Sequence, residues 1–96
     1  MENKPSVEKT IYTPEYAAVL RLFKQAREDA GITQVNLAKR LGQTQSFVSK
    51  VERGDRRLDI IQLRTILKLF GTTLPQFVDQ LEKDLAKQTK PSQVDR

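Results

Sequence analysis

Residues 33–54 read TQVNLAKRLGQTQSFVSKVERG. Leu37, Ala38 and Leu41 recur at i, i+1 and i+4, which places them on one helical face. Val48 and Val51 sit three apart in the segment that follows. Each segment opens with the same dipeptide, Thr33-Gln34 and Thr44-Gln45. A threonine hydroxyl at a helix start accepts from the unpaired N–H groups of the first turn, so both threonines read as N-caps. Gly42 sits where the first segment must stop, and glycine adopts positive φ there at little steric cost. Helices this short are marginal alone and must be held by packing. The stretch is therefore two short helices around one tight turn, a helix-turn-helix unit.

The chain has 96 residues, 38% of them hydrophobic, which suits one small domain with one core. It contains no cysteine and no histidine. That removes cysteine nucleophiles, disulfides, Cys/His zinc sites and His-based triads, so neither an enzyme nor a cofactor or metal site is expected. No apolar run approaches the ~20 residues of a membrane span. No signal-peptide core opens the chain, which reads as cytoplasmic. The net charge is +5. Between Thr33 and Leu58, six cations (Lys39, Arg40, Lys50, Arg53, Arg56 and Arg57) face two acids, Glu52 and Asp55. Most of the net charge thus lies in about a quarter of the chain, and a basic patch of this kind suits an anionic partner.

Residues 1–12 are mostly polar and read as a loose arm, with Ile11 and Tyr12 expected to fold back onto the domain. Thr13-Pro14-Glu15 is a helix start: a cap, a proline whose missing N–H costs nothing there, and an acid at the positive dipole end. Val19, Leu20, Phe23, Ala26 and Ala30 form the apolar stripe of this first helix, which Gly31 ends. After Gly54, Asp59 and Gln62 have capping-box spacing, flanked by Leu58 and Leu63 as a hydrophobic staple. A fourth helix with Leu63, Ile66, Leu67 and Phe70 stops at Gly71. Thr73 and Gln76 repeat the capping-box spacing, and a fifth helix shows Leu74, Phe77, Val78, Leu81 and Leu85. No window alternates with period two for long, so no sheet is expected. The domain reads as 13–87, with a polar tail over 88–96 that frays.

Thr33-Gln34, Leu37-Ala38, Leu41-Gly42, Thr44-Gln45, Val48-Ser49, Glu52 and Gly54, with Arg27 and Gly31 upstream and Leu63, Leu67 and Leu74 downstream, resemble the Cro/C1-type (XRE-like) helix-turn-helix family. The resemblance covers about sixty residues, Pro14 to Leu81. It implies an all-α, compact five-helix domain of the lambda-repressor-like kind. It also implies a DNA-reading unit in the second and third helices, often in a dimer on a two-fold operator. The function implied is a sequence-specific regulator of transcription, a repressor, that reads the major groove with the third helix over about 45–53.

Arg27 and Glu52 both fall at inward positions of their helices. A lone buried charge costs several kcal/mol, so the two read as a pair with each other. In the resembling family an Arg and a Glu at these positions form such a pair. The plainer alternative is that Arg27 snorkels to solvent. On the third helix, at about 100° per residue, Val48 and Val51 point inward, while Ser46, Ser49, Lys50 and Arg53 point away and Gln45 projects from the end. This outward set has no acid, unlike an ordinary solvated face. Gln45, Ser46, Ser49 and Lys50 are the candidates for base reading, and Gln45 alternatively caps the helix or meets a phosphate. Gln34, at a helix start whose amide and N–H groups can face one phosphate, heads the phosphate candidates. Asn36, Lys39, Arg53, Arg56 and Arg57 complete them. Phe47 either touches a thymine methyl or packs against the turn; the sequence does not separate these.

Leu81 and Leu85 extend the fifth stripe past the expected core and are read as a homodimer contact. The partner expected is a double-stranded DNA operator, with no membrane. The alternative function is an antitoxin, a repressor whose tail or fifth helix also binds a toxin protein. A helical interaction module without DNA binding fits the uncompensated basic residues less well.

Overall fold

The computed structural model describes residues 13–88 of the chain. Its helices are α1 (Pro14–Asp29), α2 (Gln34–Leu41), α3 (Gln45–Arg53), α4 (Ile60–Leu69) and α5 (Leu74–Gln88). No strand occurs among the described residues, so the fold is all-α. The arm over 1–12, with Ile11 and Tyr12, and the tail beyond Gln88 lie outside them. Among the described residues no helix is long and apolar enough to cross a membrane.

Side-chain caps set the helix starts. The Thr13, Thr33 and Thr44 hydroxyls accept from the N–H groups of Tyr16, Asn36 and Phe47 at 3.1, 3.0 and 3.1 Å. Each satisfies a donor that the first helical turn leaves without a partner. Asp59 and Gln62 form a reciprocal capping box: Asp59 Oδ1 accepts from the Gln62 N–H at 2.7 Å, and Gln62 Oε1 accepts from the Asp59 N–H at 2.9 Å. The second expected box forms only by half. Thr73 Oγ1 accepts from the Gln76 N–H at 3.2 Å, but Gln76 Oε1 accepts from the Thr72 hydroxyl instead of reaching back to Thr73. A competing hydroxyl one residue upstream captures the amide.

Helices α2 and α3 pack on each other; α1 packs on α3 and α5, and α4 on α5. The core between them consists of Phe23, Ile32, Leu37, Ala38, Val48, Val51, Ile66, Leu67, Phe70 and Phe77. Phe23 and Phe70 meet edge to face, with centroids 5.4 Å apart and an interplanar angle of 74°. That geometry suits the ring quadrupoles. Leu37, Leu67 and Val48 are the largest wholly buried side chains. One of them sits in each of α2, α4 and α3, so the two short helices are fixed through their inward residues.

Three apolar positions differ from the periodic reading. Ala18 is wholly buried on α1, where no core residue was expected. Ala30 is exposed at the C-cap of α1, one residue past the last helical position. Val78 is 43% exposed. It lies about 100° around α5 from Phe77, the residue of that helix that enters the core.

Candidate nucleic-acid interface

The turn between α2 and α3 is made by Gly42, which takes a left-handed conformation at φ 67°. A side chain in that region is strained, and glycine is not. The Gln43 N–H then donates to the Ala38 carbonyl at 2.9 Å, closing the end of α2. Val48 and Val51 are buried, which leaves the opposite face of α3 outward. Gln45, Ser46, Lys50 and Arg53 are exposed and Ser49 is half-buried. Nine residues of helix span about 13 Å, close to the ~12 Å width of the major groove.

A hydrogen-bonded chain runs inward from the tip of this helix. Gln45 Nε2 donates to Gln34 Oε1 at 2.9 Å. Gln34 Nε2 donates to Glu52 Oε1 at 2.9 Å. Arg27 then grips the carboxylate from both sides, Nε to Oε2 at 2.6 Å and Nη2 to Oε1 at 3.2 Å. Arg27 Nη1 donates to the Ile32 carbonyl at 2.7 Å. The Arg27 and Glu52 side chains are only 8% and 5% exposed, so the pair is internal and Arg27 does not snorkel. No described buried side-chain N or O lacks a hydrogen bond. The pair joins α1 to α3, and Gln34 ties α2 to the same carboxylate.

The basic residues lie around this helix. Asn36, Lys39 and Arg40 are exposed on α2. Arg53 is exposed and held by Asp55 Oδ2 at 3.0 Å and by Ser49 Oγ at 2.7 Å. The loop after α3 turns back at once: the Asp55 and Arg56 N–H groups both donate to the Lys50 carbonyl, at 2.8 and 3.2 Å. The Arg56 guanidinium lies over the Phe47 ring at 4.9 Å, and that of Arg57 over the Tyr16 ring at 4.5 Å. Glu52 is turned inward to Arg27, so its charge does not offset the cations on the outer face.

The structure brings Gln34, Gln45, Glu52 and Arg27 into one connected set, and gathers Ser49, Lys50, Arg53, Arg56 and Arg57 at the other end of α3. Gln34 takes a further role, since both atoms of its amide are engaged within the protein. Its backbone N–H, in the first turn of α2, is of the kind that helix starts leave open for an anion. Phe47 packs half-buried against the core and under Arg56. Leu81 and Leu85 on α5 are half-buried. Sequence reasoning missed Tyr16, whose contact with Arg57 joins the first turn of α1 to the loop after α3. It also missed the Ser49–Arg53 bond, for which the i, i+4 spacing was a usable signal.

The helix-turn-helix family model matches residues 23–77. Among solved structures, the chain is similar to an XRE-family like protein from Pseudomonas syringae pv. tomato str. DC3000. The two share 45% identity over 80% of this chain and 94% of that one, with a TM-score of 0.69. No curated protein matches the chain.

Proposed function

The chain belongs to the helix-turn-helix family of DNA-binding transcription regulators, of the Cro/C1, XRE-like type, and we propose that it is a sequence-specific cytoplasmic repressor reading the major groove with α3. The observation that carries this reading is the make-up of the outward face of α3. Gln45, Ser46, Ser49, Lys50 and Arg53 offer amide, hydroxyl and cationic groups and no acid, while Glu52 of the same helix is buried against Arg27. Such a face is matched to a groove lined by phosphates and base edges.

In this reading Gln45 and Lys50 read bases, with Ser46 and Ser49 as shorter, less selective contacts. Gln34, Asn36, Lys39, Arg53, Arg56 and Arg57 meet phosphates and fix the register. A homodimer on a two-fold operator accompanies it. Val78, Leu81 and Leu85 support the dimer, because they follow one another at i, i+3 and i+7 along α5 and each keeps apolar surface in water. Selection of bound fragments from random duplex DNA tests the whole proposal. The expected product is a two-fold site whose half-sites lie one helical turn, about 34 Å, apart. Recovery of fragments with no shared sequence overturns sequence-specific reading.

A further inference from the structure

We infer that Tyr16 and Phe47 are positioning residues for DNA binding, each holding one arginine of the Arg56-Arg57 pair by the face of its ring. The inference rests on the reading of these arginines as phosphate contacts. The loop backbone that carries them is tied to the end of α3 through the Lys50 carbonyl. From this short loop the two side chains diverge to rings on different helices, Arg56 to Phe47 on α3 and Arg57 to Tyr16 on α1.

Three other arginines of the domain are held by acids: Arg21 by Asp84, Arg27 by Glu52 and Arg53 by Asp55. An acid fixes a guanidinium but offsets part of its charge and takes up some of its donors. A ring does neither. A guanidinium over a ring face keeps its charge and gives up no N–H to a carboxylate, which leaves its donors available to an anion. Among the described residues neither Arg56 nor Arg57 is ion-paired. Both rings are themselves held. Phe47 packs against the core, and Tyr16 borders a cleft with Phe23, Val51, Leu58 and Leu63. The result is two charged guanidinium groups whose side-chain freedom is reduced before DNA arrives, which lowers the ordering cost of binding.

The test is titration of the full chain against a fluorescein-labelled 30-base-pair duplex of arbitrary sequence at several salt concentrations. Tyr16→Leu is expected to bind about two- to fivefold more weakly, while Tyr16→Phe binds as the parent does. The salt slope stays unchanged in Tyr16→Leu, because the charge remains, and falls by about one unit in Arg57→Ala. Tyr16→Leu adds no further loss to Arg57→Ala. Phe47→Leu behaves in the same way toward Arg56→Ala. An NMR measurement without DNA gives a second readout: the ring-current shift of the Arg57 side-chain protons survives in Tyr16→Phe and disappears in Tyr16→Leu. Thermal melts establish that each variant is folded, and Tyr16→Met replaces Tyr16→Leu if the latter is not. Equal losses from Tyr16→Leu with and without Arg57, or no loss, overturn the positioning role while the phosphate reading stands. An unchanged affinity and salt slope in the Arg56→Ala Arg57→Ala double variant overturns the phosphate reading, and the inference with it.

Discussion

Gln45 and Gln34, the residues that open α3 and α2, share a hydrogen bond of 2.9 Å in which Gln45 Nε2 is the donor. Through the other end of the Gln34 amide the bond continues to Glu52, and through Glu52 to Arg27. The exposed tip of α3 is therefore connected to an internal ion pair by three consecutive side-chain contacts. Each helix of the helix-turn-helix unit supplies a member of the chain, and α1 supplies its anchor. Polar networks of this kind stabilise only when every member is satisfied, and they then fix one arrangement of the elements that carry them.

The anchor makes a stability prediction. Glu52→Ala leaves the Arg27 charge buried without its carboxylate, and removing one partner of a buried pair costs about 3–5 kcal/mol. For a domain of this size each kcal/mol lowers Tm by about 4–8 °C. Arg27→Met strands Glu52 in the same way. The double variant Arg27→Met Glu52→Ala is expected to cost less than the two single losses together, because neither charge is left stranded. Urea unfolding of the three variants measures this. Two single effects that add in the double variant would show that the contact carries no coupling.

The ends of the helices were legible because the chemistry that sets them is local. Thr33, Thr44 and Asp59 each bond within three residues of themselves, and Gly42 supplies its turn by lacking a side chain. The inward valines of α3 followed from spacing alone. Ala18 was not legible, since an alanine contributes little to an apolar stripe, yet it is wholly buried. Val78 was misassigned because it lies at the margin of the α5 face, where spacing does not decide between core and solvent. The Gln45–Gln34 bond and the stacking of Arg57 on Tyr16 depend on how separate helices cross, and periodicity within one helix carries no trace of that.

The loop after α3 makes an electrostatic prediction. Asp55 holds Arg53 at 3.0 Å in an exposed position, beside the cations read as phosphate contacts. Its charge opposes the approach of DNA. Asp55→Asn removes one negative charge and is expected to tighten binding to any duplex, most strongly at low salt, where surface charges are least screened. Arg53→Ala is expected to weaken binding to all sequences alike and to lower the salt slope by about one unit. Fluorescence titration over a range of salt concentrations distinguishes the two. Tighter binding by Arg53→Ala would remove it from the contact surface.

Assembly is predicted from α5. Leu81 and Leu85 are half-buried, and Val78 beside them is 43% exposed. If this stripe meets its equivalent in a second copy, Leu81→Glu with Leu85→Glu places like charges across a two-fold contact and separates the copies. Sedimentation is expected to show a dimer for the parent chain and a monomer for the double variant, with weaker binding to a two-fold operator. A parent chain that sediments as a monomer at high concentration and also when bound to DNA rules the contact out.

The last prediction concerns which base pairs are read. The Gln45 amide uses one N–H on Gln34, which leaves its oxygen and its second N–H for another partner. A donor and an acceptor side by side match adenine N6 and N7, so Gln45→Ala is expected to cost roughly 1–3 kcal/mol on the operator and little on random DNA. Lys50, five positions further on, reaches a different base pair, and its ammonium matches guanine O6 or N7. Gln34→Ala removes no base contact, yet it frees the Gln45 amide to rotate. It is expected to relax preference at the same base pair as Gln45→Ala, by a smaller amount, and to leave the Lys50 position unaffected. Binding profiles against every single-base variant of the operator check all three substitutions at once. If Gln34→Ala instead lowers affinity equally across the profile, then the Gln34 side chain acts only in positioning and its bond to Gln45 does not direct the reading.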